Sequence, residues 1–125
     1  EAKKYGRKPY VVLMRDCIVG DTWNQCVIKS ESTMVMHKFY FKNGAYNIDK
    51  NLNNIKNEND LTIEVLAKER FIYGSTEQCI DQLKMWVEVI LPDYLMLRMR
   101  QPGGPPQTEA LKDIRRFAEK IMPNI

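Results

Sequence analysis

Arg70-Phe71-Ile72-Tyr73-Gly74-Ser75-Thr76-Glu77-Gln78 is the stretch whose reading decides the fold. Phe71 to Tyr73 form a short apolar run that reads as a buried strand, and Gly74 permits a tight strand-to-helix turn. Ser75 and Gln78 stand at capping-box spacing, and Glu77 sits where the helix dipole favours an acid. Apolar residues then recur at Cys79, Ile80, Leu83, Val87 and Ile90, the spacing of one helix face, until Pro92-Asp93 ends the run. Tyr94 to Arg100 predicts a second strand and Gln101-Pro102-Gly103-Gly104-Pro105-Pro106 a loop. A closing helix from about Thr108 is expected to bury Ala110, Leu111, Ile114, Phe117, Ala118 and Ile121 before Pro123 stops it.

The same unit appears upstream. Tyr10 to Gly20 is largely a continuous apolar run, which suits a strand covered on both faces of a parallel sheet. Thr22 with Gln25 gives another capping box, and Trp23, Cys26, Val27, Ser30, Met34 and Phe41 recur at helical spacing up to Asn43-Gly44. Residues 45–60 are rich in asparagine and lysine and read as an exposed excursion; Leu61 to Lys68 gives one or two helical turns. The order is strand, helix, excursion, strand, helix, strand, helix: an α/β chain with right-handed crossovers between parallel strands.

Composition excludes several classes. At 125 residues the chain is at most one domain, and no apolar run approaches the ~18 residues of a membrane span. The net charge of +3 is spread among acids, so no basic stripe suggests nucleic acid. Cys17, Cys26 and Cys79 lack CxxC spacing and stand with a single histidine, which points to buried free thiols in a reducing cytoplasm rather than a metal site. The opening on Glu1 without a methionine fits a piece of something longer.

Four places could carry chemistry. Arg98 and Arg100 share a strand face at the C-terminal end, where β/α folds place ligands; they either hold an anion or cap the sheet with local ion pairs. Gly74-Ser75 opens a helix whose free amides can meet an anion, although turn and cap explain both residues equally. Arg15-Asp16 is a charged pair inside an apolar strand, so one of the two points inward and needs a partner the segment does not name. His37, beside Lys38 and Phe39 near the end of the first helix, reads as a surface or helix-end residue rather than a base. No Ser/His/Asp order, paired carboxylates, P-loop or dinucleotide glycine motif is present.

Taken as patterns, these segments resemble the luciferase-like flavin monooxygenases. Arg15-Asp16-Cys17-Ile18-Val19-Gly20-Asp21-Thr22 is similar to that family's R-E-V-F-V-A-D-T, and Arg70 to Gln78 to its R-F-I-V-G-S-P-E-E, with Thr76 in the proline position. Leu97 to Gln107 resembles L-R-x-Q-x-P-G-M-P-Q with one extra arginine, and Ala110 to Pro123 follows the family's terminal helix. The resemblance implies the C-terminal three β/α units of a TIM-barrel, incomplete as a single chain, because an eight-stranded barrel needs the remaining strands. It implies reduced FMN, or a deazaflavin relative, with oxygen and a small organic substrate. Partners would be the remaining barrel segment or further copies of the chain, with a flavin reductase as electron source. Under it, Gly74, Ser75 and Arg15 would face the cofactor and Arg98, Arg100 and Gln101 the substrate. The competing expectation is a non-catalytic α/β subunit that kept the terminal pattern, lost the flavin site and associates through open strand edges.

Overall fold

The computed structural model describes residues 2–125, apart from the side chain of Glu69. It is a mixed α/β structure: β1 (Val12–Val19), α1 (Trp23–Lys42), α2 (Ile63–Arg70), β2 (Phe71–Gly74), α3 (Thr76–Ile90), β3 (Tyr94–Arg98) and α4 (Gln107–Arg116). A wider π-type turn, Phe117–Ile121, prolongs α4.

The helix starts form where their caps predict. Ser75 Oγ accepts from the Gln78 amide at 3.3 Å while Gln78 Oε1 accepts from the Ser75 amide at 2.9 Å, a complete capping box. At α1 Thr22 Oγ1 accepts from the Gln25 amide, but the Gln25 side chain reaches back to the amide of Asp21 instead of Thr22. Gly74 has φ +125°, and a Cβ there would strike the Gln78 side chain, so only glycine serves this turn. Strand β3 ends at Arg98, two residues sooner than expected, and Arg100 lies in the following loop.

The three strands are parallel in the order β2–β1–β3. Asp16 pairs with Phe71 on one side and with Arg98 on the other. From β1 to β2 the chain moves one way across the sheet; from β2 to β3 it returns over β1. Right-handed crossovers running in opposite directions put their helices on opposite faces. The cores agree. Ile18, Cys26, Leu61, Leu66, Phe71 and Tyr73 pack under α1 and α2, while Cys17, Val19, Ile72, Cys79, Leu83 and Phe117 pack under α3 and the turn after α4. Each large apolar side chain buried this way contributes roughly 1.5–3 kcal/mol.

Consecutive barrel units would instead lie in chain order with every helix on the outer face. Three strands so arranged would leave the inner face open to water. Winding in both directions covers both faces and puts β1, whose C-terminal half is fully buried, in the centre.

Several expectations about burial change with this packing. Residues 45–60 are mostly exposed, yet they insert Leu52 (3% exposed) into the α1-side core. Leu111 and Ile114 of α4 are about half exposed rather than buried, and Ala118 in the turn that follows is exposed too. Ile114 and Ala118 border a groove of about 540 Å³ along β3, formed with Leu95, Leu97, Phe117 and Met122. On the other side of β3, Tyr94 and Met96 are also half exposed.

The two sheet edges differ. Gln82 of α3 donates to the Tyr73 carbonyl at 2.8 Å and accepts from the Tyr73 amide at 3.0 Å, which closes the β2 edge as another strand would. No comparable side-chain bracket covers the backbone of β3 among the described residues.

Candidate functional site

The charged pair of β1 divides between the faces of the sheet. Asp16 is 3% exposed on the α1 side, and three groups converge on it. Its Oδ2 accepts from Arg98 at 2.7 Å and pairs with His37 Nε2 at 2.9 Å; its Oδ1 accepts from Gln101 Nε2 at 3.0 Å. Burial pushes the Asp16 pKa up, but these hydrogen bonds and the charge of Arg98 outweigh it and hold the carboxyl below its usual range. The other ring nitrogen of His37 meets the Tyr46 hydroxyl, and the two rings stack. Burial pushes the Tyr46 pKa up to about 12, so the phenol keeps its proton.

His37 is therefore buried at the centre of the site, contrary to its reading as a surface residue. Helical spacing carries the signal that could have found it: Ser30, Thr33 and His37 lie on the same face of α1 as Cys26, and all four are buried.

The loops after the parallel strands gather at one end of the sheet, where the Gly20 amide donates to the Gly74 carbonyl at 3.0 Å. A crevice of about 460 Å³ opens there between α1 and α4, lined by Asp21, Gln25, Lys29, Glu109, Asp113 and Arg116. Beside it, Ser32, Lys29 and the Gly103–Pro106 loop line a second space of about 310 Å³. This is where the loops leaving β1 and β3 diverge, the switch point at which open α/β sheets bind ligands. Two ion pairs cross it. Lys29 Nζ donates to the Val19 carbonyl at 2.7 Å and to both Asp113 oxygens at 2.8 Å, while Arg116 donates to Asp21 at 2.8 Å.

The expected site residues separate accordingly. Arg98 and Gln101 come together on Asp16, and Gln101 also borders the mouth through a small cavity shared with Lys29 and Asp113. Arg100 turns away from Arg98, and its Nε donates to the Pro105 carbonyl. Ser75 Oγ donates to Glu77 and accepts from the Gln78 amide. Arg15 lies on the opposite face, its guanidinium 4.2 Å from the Trp86 ring centroid.

These residues do not by themselves fit a flavin phosphate. Glu77 already occupies the anion-favouring start of α3, and Arg98 is committed to Asp16. No metal cluster of histidine, cysteine or carboxylates exists among the described residues, and no helix among them is long and apolar enough to cross a membrane. Compared with protein-family models, curated proteins and solved structures, the chain has no match.

Proposed function

We propose that this chain supplies the C-terminal part of a luciferase-like flavin-dependent monooxygenase, a cytoplasmic enzyme that acts on a small organic substrate with reduced FMN or a deazaflavin. The observation that carries the reading is the ordered set of strand–mouth–helix motifs, Arg15 to Thr22, Arg70 to Gln78 and Leu97 to Gln107. Their mouths lie together at the carboxyl end of a parallel sheet, the end where β/α enzymes bind substrate. Under this reading the loop from Arg100 to Gly104 borders the substrate, and Gln101 and Arg98 are held for that task by Asp16. The flavin phosphate is held by strands other than these three. Those strands join at β3, whose backbone edge has no side-chain bracket among the described residues and whose flanking side chains Tyr94, Met96 and Ile114 are about half exposed. In a closed barrel β1 would also give up one of its two present neighbours.

A second reading rests on a different observation. Helices cover both faces of the sheet, and the mouth cations Lys29 and Arg116 are already paired with Asp113 and Asp21. On that basis the chain is a non-catalytic subunit that associates through β3.

Native mass spectrometry with and without FMN separates the two. A flavin adduct, or a complex with a second polypeptide that then binds flavin, supports the monooxygenase. A flavin-free homo-oligomer of 14.7 kDa chains supports the subunit and removes the enzymatic reading for this chain.

A further inference from the structure

β3 is an edge strand, and its two sides differ. The Tyr94 amide donates to the Val11 carbonyl at 3.2 Å, one residue before its register partner Val12. In a parallel ladder that pattern turns the backbone of Tyr94, Met96 and Arg98 toward β1 and leaves the amides and carbonyls of Leu95 and Leu97 facing outward. No residue of β3 is fully buried, whereas all of β2 is. The usual protections of an edge are missing: Tyr94-Leu95-Met96-Leu97-Arg98 holds no proline, lysine or acid, and its one charge, Arg98, is drawn to Asp16. An outward row of free backbone groups is a template for another strand.

The sequence of β3 selects which strand. It reads nearly alike in both directions about Met96, with a leucine on each side and Tyr94 and Arg98 outside them. Laid antiparallel against a second copy about a two-fold axis at Met96, Leu95 meets the other copy's Leu97. These are the residues whose backbone faces outward, so each such pair exchanges two hydrogen bonds. Tyr94 meets the other copy's Arg98, a ring against a cation. Parallel alignment would set Arg98 beside Arg98, and a slip of one residue would face outward groups with groups already bonded to β1. Leu95 and Leu97 also wall the apolar groove beside Ile114, Phe117 and Met122, so the grooves of the two copies meet across the axis.

We propose that β3 pairs with β3 of a second copy, antiparallel about Met96, and so joins the two three-stranded sheets into one continuous sheet. The inference rests on the second reading, a subunit that associates through β3, and adds the partner, the direction and the register. The contact is isologous, so it closes at two copies and leaves the bracketed β2 edges outermost. Met96 faces its own counterpart as a non-hydrogen-bonded pair, the closer of the two antiparallel spacings.

The test is sedimentation of the full chain over a range of concentrations, with cross-linking of cysteine variants. The parent chain should form a flavin-free dimer. Met96→Lys, at a half-exposed position, sets two like charges on the axis and should raise the dissociation constant at least about tenfold, while Leu111→Lys on α4 leaves it unchanged. Met96→Cys keeps the fold if the lysine does not, and the native thiols are buried. Oxidised glutathione should convert two Met96→Cys thiols into one disulfide across the axis, releasing two glutathione thiols, and should not link Val89→Cys on the exposed side of α3. A dimer weakened by Met96→Lys yet unlinked through Met96→Cys would overturn this register and leave association through β3 standing. A dimer that ignores both variants would overturn the pairing and the use of β3 together. A chain that stays monomeric, or joins a second polypeptide and then binds flavin, would remove the second reading and this inference with it.

Discussion

Asp16 on the central strand and Arg98 at the end of the edge strand are register partners, and their side chains meet at 2.7 Å on the α1 face of the sheet. The Asp16 carboxylate touches α1, β3 and the mouth loop at once, through His37, Arg98 and Gln101. It fastens the weakly covered β3 to the rest of the fold.

Asp16→Asn keeps the shape but removes the charge that Arg98 answers. Breaking a buried pair from one side leaves the other charge uncompensated, so we expect a loss of about 2–4 kcal/mol in urea unfolding. The m-value should stay unchanged. A loss under about 0.5 kcal/mol would place the pair among surface ion pairs that contribute little.

Acid sensitivity follows from the same group. The folded pKa of Asp16 lies below its unfolded value, so its contribution is fully present above that unfolded value, near ~3.9, and is lost as pH falls through the folded pKa. Stability measured from pH 6 down to pH 2 should fall less steeply in Asp16→Asn than in the parent chain. Parallel acid limbs would show that other carboxylates dominate.

Gln82→Leu should unbracket the β2 edge. The Tyr73 amide loses its acceptor, and its hydrogen exchange should accelerate at least tenfold while core amides of α3 keep their protection. Unchanged Tyr73 exchange would mean that burial alone protects this edge.

Gly74→Ala combines a left-handed φ with a clash against the Gln78 side chain that completes the capping box. The expected cost is about 1–3 kcal/mol, read as a lowered thermal midpoint. A neutral result would require the turn to relax without losing the cap.

The three thiols should be unreactive in the native chain. Cys17, Cys26 and Cys79 are all buried; the hydrogen bond with Cys79 and burial push the Cys17 pKa up, and burial does the same for Cys26. Ellman's reagent should titrate none of them under native conditions and all three in denaturant. Rapid native labelling would expose local opening at the mouth.

What the sequence determined by itself is local. The Ser75 and Thr22 caps, the Gly74 turn and the order of strands and helices were legible because each is set by contacts within about four residues. The terminal helix was legible in place but not in burial, since Ile114 and Ala118 carry a core-like pattern toward an open groove and Leu111 is half exposed. Arg98 and Gln101 were legible as site residues from the strand end; their common partner was not, because it lies 82 and 85 residues away.

Only the tertiary structure decided that β1 is central, that Asp16 rather than Arg15 faces His37, and that Arg15 lies over Trp86 on the other face. Parallel strands are joined by long crossovers rather than tight turns, so no local signal fixes which strands become neighbours. That choice goes to the arrangement that covers both faces of the sheet, and it in turn sets which distant charges must answer one another.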